Sequence, residues 1–205
     1  MTRRSSRTLV TGLLCAATLA ACTGPDPGPV TAPPTSKVQS PSGLRWEMFH
    51  GVDLPIADQG PDRIDGAVAT GFERNPAGGA LAAIHASVRM TLATDTQWPR
   101  VGQQMLAPGP GRDAWATTRA QISITAPITE GPPKILGYQV TDYTDTSADV
   151  HIYAIHPDNS ATRHSTRIVW HTGDWRLEIP HNPTESPVTA ITTPPHDLIT
   201  LTPRR

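Results

Sequence analysis

The chain has 205 residues and a formal net charge of −1, with acidic and basic side chains nearly balanced. That balance leaves no basic stripe to neutralise phosphates, so nucleic-acid binding has no electrostatic basis. Beyond the first 22 residues no run is apolar enough to cross a bilayer, and the remaining length suits one domain able to bury its own core.

Arg3, Arg4 and Arg7 precede the apolar run from Leu9 to Ala17, and small residues lead on to Leu19-Ala20-Ala21-Cys22. Basic, apolar and small segments in that order make a secretory signal peptide, too short to stay as a membrane span. Leu-Ala-Ala before a cysteine, with Thr23-Gly24 after it, also resembles the lipobox of bacterial lipoproteins. The resemblance implies that residues 1–21 are removed and that the sulfur of Cys22 carries diacylglycerol. The alternative is an ordinary cleaved signal with Cys22 merely near the cut. An acylated Cys22 is expected to hold the chain on the extracytoplasmic face of the cell membrane, at about 0.8 kcal/mol per buried CH₂. Cleavage also removes Cys15, which leaves no partner for a disulfide and no thiolate metal site. Without the three arginines the mature chain carries about −4. Lys37 and Lys134 are the only lysines, and the arginine, alanine, threonine and proline bias is similar to that of high-GC actinobacterial proteins.

Residues 22–43 are Pro, Gly, Ser and Thr with almost no large apolar side chain, which predicts a semi-extended linker. About 20 residues at roughly 3.1 Å each give a reach of about 60 Å. The folded domain is expected over residues 44–181. Trp46, Met48 and Val52 suggest a short strand, followed by a turn-rich stretch from Ala57 to Gly66. Asn75-Pro76 predicts a helix start, with Asn as cap and Pro in the first turn. Leu81, Ile84, Val88 and Leu92 then recur on one helical face, with His85 beside it. Shorter helices are predicted over Trp98–Leu106 and Arg112–Gln121, separated by Pro108-Gly109-Pro110-Gly111.

The period then falls to two. Ile135–Tyr143, Ala148–His156, Thr162–His171 and Trp175–Ile179 read as strands. Ala148, Val150 and Ile152 alternate with Asp149, His151 and Tyr153, so one face of that strand is expected to be dry. Helices first and antiparallel strands second predict an α+β fold, with N-terminal helices packed on one curved sheet. Residues 182–205 are expected to be a Pro-rich tail without regular structure, docked in part by Val188, Ile191, Leu198, Ile199 and Leu201.

The helix-then-meander order, ending Ile168-Val169-Trp170-His171-Thr172-Gly173-Asp174-Trp175-Arg176-Leu177, is similar to the cystatin-like and nuclear-transport-factor-2-like superfamily. That superfamily includes bacterial lipoproteins and periplasmic domains of conjugation proteins, and the resemblance implies a cone-shaped sheet. Trp46–Pro55, Gly60-Pro61, Val68–Phe72 and Gly79–Ala83 together look like an uncharacterised actinobacterial domain of secreted or anchored proteins, some from conjugative elements. Its glycines are expected to serve turns with positive φ.

Eight histidines raise a metal hypothesis, but His151 and His156, like His164 and His171, are spaced to point to opposite faces of a strand. No metal and no other cofactor is expected. No Gly-x-Ser-x-Gly elbow, phosphate loop or His-Glu-x-x-His motif is present. If the sheet encloses a pocket, Tyr138, Asp142, Asp149, His151, Tyr153 and Arg167 are its candidate lining. Two readings follow: a non-enzymatic, lipid-anchored module that binds envelope proteins, accessory to a conjugation or secretion apparatus, or a small-ligand-binding or acid–base catalytic domain. His85 is expected at a helix edge, hydrogen-bonded to the sheet.

Overall fold

The structure, a computed structural model, describes residues 40–201. The expected signal peptide, Cys22 and most of the expected linker lie outside these residues. Two β-hairpins come first: β1 (Arg45–Phe49) with β2 (Val52–Ile56), and β3 (Arg63–Asp65) with β4 (Val68–Thr70). Gly51, between β1 and β2, and Gly71, just after β4, take the positive φ expected of them, 94° and 81°. Helices α1 (Pro76–Leu92), α2 (Trp98–Gln104) and α3 (Pro110–Arg119) follow. The main sheet is a meander of β5 (Lys134–Tyr143), β6 (Ser147–Ile155), β7 (Ala161–His171) and β8 (Asp174–Glu178), all antiparallel. The expected α+β class and the position of every meander strand hold, to within one residue.

Helix α1 begins as its sequence dictates. Asn75 Oδ1 accepts from the Gly78 amide at 2.7 Å, and Pro76 occupies the first turn. The expectation of a single buried stripe is corrected, because Ala77 to Ser87 are buried on every side. The main sheet packs on one side of the helix and β2 and β4 on the other, so alanines and glycines let both layers approach closely. His85 is likewise not at an edge: it is fully buried, and its Nε2 lies 2.9 Å from the Pro55 carbonyl oxygen of β2. Arg89 Nε donates to His85 Nδ1 at 3.2 Å, which fixes the imidazole as the Nε2–H tautomer. Arg89 Nη1 donates to the Gly66 carbonyl, and the guanidinium lies 4.4 Å from the Phe49 ring centroid. One buried polar chain thus joins both hairpins to α1. Desolvation and the Arg89 charge hold the His85 pKa down at about 3, so the ring is neutral.

The β7–β8 turn makes a second clip. Thr172 and Gly173 both have positive φ, 50° and 85°, as a two-residue hairpin turn requires. Asp174 then accepts from the amides of Gly71 (2.8 Å), Phe72 (3.2 Å) and Trp175 (2.9 Å). The Trp175 indole donates to the Glu73 carbonyl at 2.9 Å, and its ring lies against Trp170 and Tyr143. The Gly-Asp-Trp motif therefore ties the end of the meander to the segment that enters α1.

Residues beyond Asn182 do not form the structureless tail that their prolines predict. β9 (Val188–Ile191) pairs with β7, and β10 (Ile199–Thr200) pairs with β5 on the far edge of the sheet. Pro187 sits just before β9 and Pro194-Pro195 between the two strands, so no proline removes a donor within either ladder. The domain accordingly runs to Leu201, which is 2% exposed.

Candidate functional site

β8 and β9 lie end to end along one edge of β7. β8 pairs with residues 167–171 and β9 with residues 161–164, and the chain leaves the sheet between them over residues 179–187. The Ser165 amide donates to the Pro187 carbonyl at 2.8 Å where the chain returns. This break in the edge strand opens a groove of about 890 Å³. Its walls are the end of α1 (Met90, Thr91), the α2–α3 connection from Ala107 to Arg112, the excursion at Ile179–His181, and Pro187-Val188. Pro108, Pro110, Pro180 and Pro187 stiffen the rim by fixing φ. Gly111 is required there, since a Cβ at that position would fall 1.7 Å from the Ile179 carbonyl oxygen.

The floor comes from β6 and β7. Arg167 Nη1 reaches both oxygens of Asp149 (3.0 and 3.1 Å), and its Nε lies 3.2 Å from Glu178 Oε2. These are direct cross-strand neighbours, Asp149 opposite Arg167 and Arg167 opposite Glu178. His151 lies on the same face as Asp149, and His164 on the opposite face of the adjacent strand. Burial lowers the pKa of both imidazoles; at His151 the Arg163 charge lowers it further while Asp149 opposes. Both rings are therefore neutral near neutral pH.

Of the residues expected to line a pocket, Asp149, His151 and Arg167 meet in this groove, and Tyr138, Asp142 and Tyr153 do not. Tyr138 points into the core, 0% exposed, and burial raises its pKa. Asp142 is exposed on β5, where a bulge before it shifts the register. Tyr153 is buried, its hydroxyl donating to Gln139 Oε1 and its ring edge-on to His151. Sequence reasoning missed His164, Glu178, His181 and the α2–α3 wall. The Pro-Gly-Pro-Gly run at 108–111 and the prolines from Pro180 to Pro187 were the available signals, as each marks a loop next to the sheet edge. Trp98 and Trp115 pack edge-on to each other at 5.8 Å, with Trp115 seated on Gly102.

Among the described residues no group of three or more His, Cys, Asp or Glu side chains has the geometry to hold a metal ion. No curated protein and no solved structure matches the chain. A family model described as Domain of unknown function (DUF8175) matches residues 15–194. That match spans most of the chain, including α1, α2, α3 and the whole meander, and the protein belongs to this family.

Proposed function

We propose that the protein is a lipid-anchored interaction module on the extracytoplasmic face of a bacterial, actinobacterial cell envelope, and that its groove receives part of a neighbouring envelope protein. The observation that carries the binding role is the state of the charged groups on the groove floor. Asp149 and Glu178 are both held by Arg167 in direct cross-strand ion pairs, so their oxygens already have a partner within the floor. The rigid, largely apolar wall around them suits recognition better than proton transfer. The signal-like leader and Leu19-Ala20-Ala21-Cys22 support the anchor, and the linker supports a searching domain at high local concentration. A place beside a conjugation or secretion apparatus, and kinship with cystatin-like and nuclear-transport-factor-2-like domains, rest on the resemblance of the meander and its Gly-Asp-Trp end.

The groove's volume favours one second reading. About 890 Å³ lies within the range of small-molecule sites, so an apolar metabolite is the competing occupant. Cys22→Ala should move the protein from the membrane to the soluble fraction, and mass spectrometry of the native chain should find acyl groups at Cys22. A photo-crosslinking side chain at Val188, in the anchored protein in its host membrane, should yield one discrete protein adduct. A bound metabolite with no protein adduct would replace the module by the ligand-binding reading. An unmodified Cys22 thiol would remove the anchor.

A further inference from the structure

β5 is a ten-residue strand at the rim of the main sheet, and among the described residues its outer edge is paired at Gly137 and Tyr138, with Thr200 and Ile199 of β10, and bonded at Leu136 to Leu201. Register shifts at Leu136 and Thr141 confine the straight part of that edge to its middle. An edge of this kind is a template for an added strand. Here residues 197–201 of the same chain fill it through three separate features. The Gly137 notch is the first: a Cβ there would fall 2.2 Å from the Ile199 carbonyl oxygen and 2.3 Å from Leu198 Cδ1. The second is a core socket that takes Leu201, whose amide donates to the Leu136 carbonyl at 2.8 Å. The third is the Gln139 amide, which donates to Asp197 Oδ1 at 2.8 Å and is itself oriented by the Tyr153 hydroxyl.

The features that receive residues 197–201 belong to the sheet, and of the segment that fills them Leu201 alone is buried. From Asn182 to Thr200 every residue is at least partly exposed, and the span between β9 and β10 contains Pro194-Pro195. We propose that the outer edge of β5 is a strand-acceptor site, closed in the isolated chain by its own residues 196–201. It opens to an extended segment of an envelope protein with the same pattern: a carboxylate, two aliphatic residues, a polar residue and a terminal aliphatic anchor. Main-chain bonds to the edge then supply affinity, while the notch and socket supply selectivity. The partner named here rests on the interaction-module reading; the acceptor edge itself does not.

The test uses the His196–Leu201 peptide, with blocked ends, as a stand-in for the partner segment. A variant ending at Thr193 should bind the peptide, and adding Gly137→Val to it should weaken binding by about tenfold or more. A full-length Leu201→Asp variant, which ejects the anchor without shortening the chain, should also bind the peptide if the truncated one fails to fold. In the native full chain the Leu201 amide should exchange at least about a hundredfold faster than the paired amides of β6 and β7. Equal protection of Leu201 and the β6–β7 amides would make β10 a fixed part of the fold and overturn the proposal. So would a folded variant, by circular dichroism, that ignores the peptide or binds it equally with Gly137→Val. A stable dimer of the pure chain that Gly137→Val dissolves would overturn the partner by making a second copy the occupant. Peptide binding does not depend on Cys22, so loss of the anchor and loss of the acceptor edge are separate results.

Discussion

The two faces of the main sheet are made by alternate residues of the same strands and have opposite characters. On one face Ala148, Val150, Ile152 and Ile168 lie against α1 at 0–4% exposure. On the other, Asp149, His151 and Arg167 remain partly exposed, covered only by the groove wall and the returning C-terminal segment. The first face is where the motif residues converge: Gly71-Phe72, the α1 entry and Asp174-Trp175 all meet there. The Gly-Asp-Trp motif is thus part of the seam that closes the core. The chemistry available for recognition lies on the other face, in residues that belong to no motif.

That division can be broken at its strongest point first. Trp175→Ala removes a ring that is 3% exposed together with its hydrogen bond to Glu73. It should cost about 3–5 kcal/mol by denaturant unfolding. A cost below about 1 kcal/mol would show that the seam does not carry the fold.

The buried His85 gives the next effect, and it depends on pH. Its folded pKa of about 3 lies below the ordinary value of 6.5 that applies when unfolded. The unfolded state therefore binds the extra proton between those values, and stability falls as pH drops from 6.5 toward 3. The loss at pH 5 should be about 2 kcal/mol and should grow further toward pH 3. His85→Gln should show a flatter acid limb in thermal melts across that window. An unchanged slope would mean that another group dominates the acid response.

The smallest effect belongs to the open face. Arg167→Met breaks two ion pairs between half-exposed side chains, and its stability cost should stay under about 1 kcal/mol. The same change should reduce the Val188 photo-adduct. A loss above about 2 kcal/mol would place Arg167 in the scaffold, and the contrast between the faces would fail.

Much of this architecture was legible beforehand, for local reasons. The Asn75-Pro76 start, the four meander strands and the Thr172-Gly173 turn follow from capping, period-two alternation and backbone freedom, each set within a few residues. The errors share one cause. His85 and the flanks of α1 were expected at an edge because a helix alone does not reveal that a hairpin will cover its second side. Residues 188–191 and 199–200 read as tail because a two- or four-residue strand carries almost no period, and only the waiting edges of β7 and β5 make them strands. The groove was half visible, through Asp149, His151 and Arg167, while its other wall comes from residues 90–112, far away in the chain.

The order of the amino acids by itself determined the class of fold, the position of the meander and the expectation of a leader that ends just before Cys22. Each depends on side-chain pattern over a short window. Tertiary structure alone decided which histidine is buried, where the sheet edge breaks and what the last residues do. Those outcomes depend on which surfaces meet, and desolvation and edge pairing exist only once distant segments have come together.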